Sequence, residues 1–158
     1  MVYSYTIRRA TSQDAPAVFS ILQSAFIEYG RITGQSRLEA LFETVDDIKR
    51  EIETKVVYIA IIDDNIVGTL RLDIKEDQAY LSRFAVDRNC RNSGVGKSLM
   101  SMVDKYLMDK KVNKVFLHTS SKHTLLMRFY YGRGFYTEEI ETDRGYLRAK
   151  LVKEYNYL

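Results

Sequence analysis

The sequence predicts an α/β (α+β) fold: a mixed, mostly antiparallel sheet with elements in the order βααβββαβαββ. Three observations carry this. The runs Lys55–Asp63, Ile66–Ile74 and Ala79–Val86 are rich in Val, Ile, Leu and Tyr and are divided by turn-forming residues, as in an antiparallel meander. The third run passes into a glycine loop, after which Val95, Leu99, Met102 and Tyr106 recur at intervals of four, three and four, one face of a helix. A further strand, helix and hairpin follow to the end. At 158 residues, with 46% apolar side chains, the chain has the size and core of one domain, residues 1–158.

The elements follow in order. Tyr3, Tyr5 and Ile7 alternate with polar neighbours over Tyr3–Arg8, a first strand. Thr11 caps a helix, with Asp14 three residues on and Pro16 in the first turn, where a missing N–H costs nothing. Val18, Leu22, Ala25 and Tyr29 line one face, and Gly30 and Gly34 are expected to break the helix. Thr44 and Asp47 make a second capping signal ahead of Val45, Ile48 and Ile52. Between Glu28 and Glu53 carboxylates outnumber basic residues, an acidic stretch that suits a cationic amine or merely a solvated face. Asp64-Asn65 is the expected hairpin turn after the second strand, because both tolerate positive φ. A turn through Lys75-Glu76-Asp77 leads to Ala79–Val86. A helix from Gly94 to about Lys110, a strand at 114–119 and a helix from about His123 to Tyr131 come next, the last ending at Gly132 and Gly134. Phe135–Glu141 and Tyr146–Val152 form the closing hairpin.

The junction at 86–98 carries the chemistry. A strand, a tight loop with two glycines and a helix N-terminus together present free N–H groups and the positive end of a helix dipole, which favours a phosphate. Arg91 and Lys97 add charge there. The spacing narrows the ligand. A Walker loop needs G-x-x-x-x-G-K-S/T, and Gly96-Lys97-Ser98 supplies its second half, but Arg91 stands where the first glycine belongs. The dinucleotide fingerprint G-x-G-x-x-G also fails. Arg91-Asn92-Ser93-Gly94-Val95-Gly96 does fit the pattern R/Q-x-x-G-x-G/A. Further on, Phe129-Tyr130-Tyr131-Gly132-Arg133-Gly134-Phe135 fits F-Y-x-x-x-G-F. In this order and spacing the two motifs resemble the GNAT superfamily of N-acetyltransferases, well over residues 56–153 and in outline before that.

The resemblance implies acetyl-CoA as co-substrate and direct acetyl transfer to a primary amine of a small molecule or peptide. Backbone N–H groups from Asn92 through Ser93, Gly94, Val95, Gly96, Lys97 and Ser98 would hold the pyrophosphate, with Arg91 and Lys97 lending charge. Phe84, Ala85 and Val86 would pair with the pantetheine arm, and one N–H there would polarise the thioester carbonyl, an effect of roughly 2–4 kcal/mol. Tyr130 would be the general acid, since a phenol with pKa near ~10 stays protonated at neutral pH. His123 stands where the family often has a cofactor-contacting asparagine. The base is open: many members carry a glutamate where this chain has Ser82. His118 is a candidate, with an unperturbed pKa in the right range, and Glu28, Asp73 or a water chain are others.

Composition sets outer limits. The net charge is +3 and basic residues are interspersed with acidic ones, which argues against nucleic acid or a membrane surface as main partner. No run reaches the ~20 apolar residues of a membrane span, and no signal-peptide layout opens the chain, so a cytoplasmic location is expected. The single cysteine, Cys90, and the two histidines lack metal-ligand spacing, so no metal is expected. The C-terminal hairpin and the apolar tail Tyr155–Leu158, with their aromatics, suggest a homodimer. Two other readings compete: a non-catalytic acyl-CoA-binding module, motivated by Ser82, and a P-loop nucleotide-binding protein, motivated by Gly96-Lys97-Ser98.

Overall fold

In the computed structural model, which describes residues 4–157, the strands are β1 (Thr6–Arg9), β2 (Val56–Ile62), β3 (Asn65–Lys75), β4 (Gln78–Val86), β5 (Lys114–Ser120), β6 (Tyr136–Glu141) and β7 (Arg148–Glu154). The helices are α1 (Ala15–Thr33), α2 (Val45–Thr54), α3 (Val95–Asp109) and α4 (Thr124–Gly132). The element order is the expected βααβββαβαββ. Tyr3, placed in the first strand by sequence, lies outside the described residues. The strands form one sheet in the order β1-β2-β3-β4-β5-β7-β6, antiparallel except where β4 meets β5.

The sheet divides two cores. On one face Val95, Leu99, Val103 and Leu107 of α3 pack with Tyr130 of α4 on Leu70, Leu72, Leu81 and Leu117. On the other, Val18 and Leu22 of α1 and Ile48 and Ile52 of α2 cover Val57 and Ile59. Burying each such side chain fully is worth about 1.5–3 kcal/mol. The inward stripe of α3 is therefore centred on Val103 and Leu107, with the expected Met102 and Tyr106 only partly buried at its flank. With Met100 also buried, the inward face is turned partway round the helix from the 4-3-4 set read from sequence.

Local signals mostly hold. The Thr44 hydroxyl accepts the Asp47 N–H at 3.1 Å and the Asp47 carboxylate accepts the Thr44 N–H at 2.8 Å, a reciprocal cap on α2. Gly30, by contrast, does not break α1. It is buried where the following loop crosses, its carbonyl accepts the Gln35 N–H at 2.9 Å, and a Cβ there would stand 2.5 Å from the Gln35 carbonyl oxygen. The helix ends at Gly34, in the left-handed conformation at φ 75°. The β2–β3 turn is one residue earlier than expected, with positive φ at Asp63 and Asp64.

Two features shape the centre of the sheet. β4 pairs with β5 in parallel only from Gln78–Tyr80 against Lys114–Phe116, and beyond that the strands separate. Thr69 of β3 pairs with Ala85 but Arg71 with Ser82, so β4 has one residue extra, and Arg83 takes it up at φ 55°. The bulge reverses the side-chain alternation. Leu81 faces α3 before it; after it Phe84 and Val86 face α3 and α4 while Ala85 joins the α1 core.

The C-terminal aromatics are not the exposed surface that suggested a dimer. Tyr155 is buried with its hydroxyl 2.6 Å from an Asp104 oxygen, and the Tyr157 hydroxyl donates to the Val112 carbonyl at 2.6 Å. Both staple the tail onto α3 and the loop after it. Among the described residues, no helix is long and apolar enough to cross a membrane.

Candidate active site

The loop between β4 and α3 runs from a strand into a helix N-terminus, as its sequence predicts. Gly94 sits at the N-cap of α3 with φ 91°, a conformation costly for any residue with a Cβ. Among the described residues, the N–H groups of Asn92 through Lys97 have no hydrogen-bond acceptor. Ser98 differs: its N–H donates to the Gly94 carbonyl at 3.0 Å, and its hydroxyl lies 2.5 Å from the Tyr5 hydroxyl of the first-strand region. Both of its polar groups are thus spoken for. The Ser93 hydroxyl is turned back onto the Cys90 carbonyl.

The two glycines serve different ends. Gly94 supplies the backbone hand. Gly96 admits aromatic rings: a Cβ there would lie 3.3 Å from Phe84 Cζ and 3.4 Å from Phe129 Cζ. Those rings stack on one another at 5.3 Å and 12°. The absent Cβ of Gly96 is filled by protein, where the sequence suggested room for a ligand.

Arg91 is held rather than free. It binds a Glu28 oxygen at 2.5 Å, and its Nε and Nη2 both donate to the Val86 carbonyl at 3.3 Å. Arg88 reaches the other Glu28 oxygen at 3.0 Å. The hydrogen bond from Arg91 outweighs burial and, with Arg88, holds the Glu28 carboxyl below the usual range. Glu28 is therefore a poor base at neutral pH. Lys97 is exposed. A cavity of about 760 Å³ lies between α1 and this loop; Val86, Arg88 and Arg91 line it, whereas neither Tyr130 nor Gly94 does.

Tyr130 is 4% exposed, its ring enclosed by Phe84, Phe129 and Phe135 at centroid distances of 6.1, 5.7 and 5.6 Å. Its hydroxyl makes no hydrogen bond to a described residue. Burial, followed by the neighbouring hydroxyls of Tyr29 and Tyr80, pushes it far above the ordinary phenol value, so it stays protonated. Tyr131 points elsewhere, 47% exposed with its hydroxyl 2.7 Å from that of Thr137.

Where β4 and β5 part, the face toward α1 carries polar and aromatic groups. His118 Nδ1 lies 3.1 Å from the Tyr80 hydroxyl, and its Nε2 lies 2.7 Å from a Glu141 oxygen, off the axis of a good hydrogen bond. Burial lowers the His118 pKa, as does the charge of Arg148, against the opposing pull of Glu141. His123 caps α4, its Nδ1 accepting the Leu126 N–H at 3.3 Å, and its ring lies 5.5 Å from that of Tyr29. The Tyr29 hydroxyl accepts the Ser120 N–H at 2.7 Å.

The acidic stretch of the α1–α2 region is largely neutralised. Glu43 binds Arg71 through both oxygens, at 2.8 and 3.2 Å, and Arg83 at 3.1 Å. Glu39 pairs with Arg144 at 2.8 Å. It is not a free anionic wall. Nothing in the sequence marks Tyr80, Tyr29 or Glu141 for a role here, and Glu43 counts there only as one carboxylate of the acidic stretch. Counting strand alternation back from the Gly loop could have placed Tyr80 beside His118 only with the bulge at Arg83 in hand.

Comparison with known proteins agrees with this geometry. Residues 16–135 match the acetyltransferase (GNAT) family, a stretch that contains both motifs. The PaiA N-acetyltransferase of Thermoplasma acidophilum, solved in complex with coenzyme A, superposes with a TM-score of 0.85 at 19% identity, covering 96% of this chain and 99% of that one. The Escherichia coli ribosomal-protein-S18-alanine N-acetyltransferase does so with a TM-score of 0.79 at 17% identity, covering 98% and 96%. An uncharacterized N-acetyltransferase of Methanocaldococcus jannaschii is 28% identical over 79 residues, so the chain spans about half (51%) of the length of that relative and matches it over 49% of its own. With the family's match covering the glycine loop, the split between β4 and β5 and the tyrosine motif together, this chain belongs to the acetyltransferase (GNAT) family.

Proposed function

We propose that the protein is an acetyl-CoA-dependent N-acetyltransferase acting on a primary amine of a small molecule or peptide. The observation that carries this is the position of Phe84. It packs on the first turn of α3, 3.3 Å from where a Gly96 Cβ would be, and its ring lies 6.1 Å from that of Tyr130. One β4 residue thus touches both the first turn of α3 and the ring of the buried phenol. The N–H groups of Asn92 through Lys97 suit a pyrophosphate, and a solved structure of this fold holds coenzyme A.

Acetyl-CoA would supply an acetyl group activated as a thioester. The edge of β4 past Tyr80 lacks a strand partner on the β5 side, which supports a role for Phe84, Ala85 and Val86 in binding an extended arm, with one N–H directed at a carbonyl. The Val86 carbonyl is engaged by Arg91, which would move to the phosphates when they arrive. Overall a carbon–nitrogen bond forms, a carbon–sulfur bond breaks, and the ammonium gives up two protons. Tyr130 gives its proton to the sulfur and recovers one from the nitrogen. His118, neutral at pH 7 because burial lowers its pKa, is available for the other.

A second reading, an acyl-CoA-binding module without turnover, is favoured by Ser82 at the position of a carboxylate in many family members. Thermal unfolding with acetyl-CoA, with free CoA and with magnesium ATP tests the binding half. A ligand present at ~100 times its dissociation constant adds ~2.7 kcal/mol. Stabilisation by both CoA forms and not by ATP is expected; stabilisation by ATP alone contradicts the reading.

A further inference from the structure

The geometry points to a proton relay through Tyr80, His118 and Glu141 that deprotonates the acceptor amine, with Tyr80 as the residue that touches it. This deepens the acetyl-transfer reading and rests on it.

The tautomer of His118 sets the direction of the relay. A carboxylate oxygen 2.7 Å from an imidazole nitrogen repels a lone pair, so one of the two atoms must carry a proton. Arg148 lies 3.3 Å from the same Glu141 oxygen and pairs with it as a carboxylate. The proton therefore belongs on Nε2 of His118. Nδ1 is then the lone-pair nitrogen, and the Tyr80 hydroxyl 3.1 Å away is its donor. This fixes a direction. A proton arriving at the Tyr80 oxygen sends the Tyr80 proton to Nδ1, and the imidazolium that forms faces Glu141.

Placement supports the same direction. Tyr80 is the last β4 residue paired to β5, opposite Phe116, and its ring packs edge-on against Phe116 at 5.0 Å. It stands at the fork where the strands begin to part. Farther along the same strand, past the fork, Phe84 packs against the Tyr130 ring, which puts relay and acid along one stretch of β4. The charges that act on the relay are those of Glu141 from β6, Arg148 and Lys150 from β7, Arg83 from β4, Arg144 from the hairpin, and Glu39 from the α1–α2 segment. Burial, aided by the charges of Arg148 and Lys150, holds the His118 pKa down, and Glu141 is the anion placed to steady the ring once charged.

The proton balance is complete. The ammonium loses one proton to Tyr80, Tyr80 passes its own to His118, and His118 releases it to solvent after turnover. Tyr80 ends as it began. Glu141 is a positioning residue, fixing the tautomer without touching the amine.

Two measurements judge the relay. The first is the pH profile of kcat/KM for Tyr80→Phe, using the fastest primary amine from a panel of alkylamines, diamines, amino acids and a peptide with a free N-terminus. The variant keeps the ring against Phe116, so the fold is retained. A loss of about 100-fold at pH 7 is expected. It should shrink as pH approaches the amine pKa, where free amine no longer needs a base. A loss under threefold at pH 7, or one equal at every pH, overturns the relay. The second is the ¹⁵N shifts of His118 in the wild-type protein. Protonated Nε2 with unprotonated Nδ1 is expected, and a protonated Nδ1 in the neutral ring overturns the relay whether or not turnover is seen. A wild type that transfers acetyl to no amine overturns the parent reading and the relay with it, whereas wild-type turnover with an unaffected Tyr80→Phe overturns the relay alone.

Discussion

The Tyr29 hydroxyl accepts the backbone N–H of Ser120 at 2.7 Å, joining α1 to the end of β5. β5 has by then left β4, so this N–H has no neighbouring β4 strand to bond. Ser120 is 2% exposed, and an unsatisfied buried donor costs about 1–3 kcal/mol. Tyr29→Phe should therefore lower stability by about 1–2 kcal/mol in urea unfolding and raise the KM for the amine more than that for acetyl-CoA. Unchanged stability would show that the contact holds nothing in place.

Gly96 is the point where α3 meets the Phe84–Phe129 stack. Gly96→Val puts three carbons where the first already meets both rings within 3.4 Å. The rings have to move, taking the β4 edge with them. Acetyl-CoA affinity should fall by at least about tenfold, a loss of ~1.4 kcal/mol in binding, measured by isothermal titration. Retained affinity would mean that the loop and β4 do not bind as a unit.

Glu43 ties the strained bulge to the sheet, meeting Arg71, which is only 5% exposed, and Arg83 at φ 55°. Burial pushes its carboxyl upward, but the hydrogen bonds and charge of Arg71, aided by Arg83, bring it below the usual range. A depressed folded pKa means stability that is present above the unfolded value, about 4.3, and lost as pH falls through the folded one. Removing the anion leaves Arg71 buried, though Glu51 at 3.6 Å softens the loss. Glu43→Gln should cost about 3 kcal/mol at pH 7, and the gap to wild type should narrow below pH 4. A pH-independent gap would assign the effect to packing and not to charge.

Tyr130 and Tyr131 are adjacent in sequence and opposite in setting. Tyr130→Phe keeps the ring among Phe84, Phe129 and Phe135 and removes only the hydroxyl. It should lower kcat by about 100-fold with acetyl-CoA affinity little changed. Tyr131→Phe, losing an exposed contact to Thr137, should leave kcat within twofold. A Tyr130→Phe loss below threefold would remove this residue from the chemistry.

Much of this was legible in the sequence because the signals are local. The Thr44–Asp47 cap, the two motifs and the strand-loop-helix junction each depend on neighbours within a few residues. What was not legible depends on distant chain. Gly30 reads as a helix breaker until the loop at Gln35 is seen to press on it. Ser98 looks free for phosphate until Tyr5, more than ninety positions away, takes its hydroxyl. The carboxylates read as an acidic wall because their arginine partners, Arg71, Arg83, Arg88 and Arg144, come from other elements. Tyr80 was hidden by the bulge at Arg83, which breaks the alternation on which a strand reading rests.

The most direct test of the acetyl-transfer reading is amine-dependent release of CoA thiol from acetyl-CoA by the wild-type protein, with the acetylated amine identified by mass. Thiol and acetylated amine appearing in equal amounts, saturably in both substrates, is the predicted result. Acetyl-CoA that binds and stabilises the protein, yet releases thiol no faster with any amine of the panel than without one, would contradict it and leave the binding-module reading in its place.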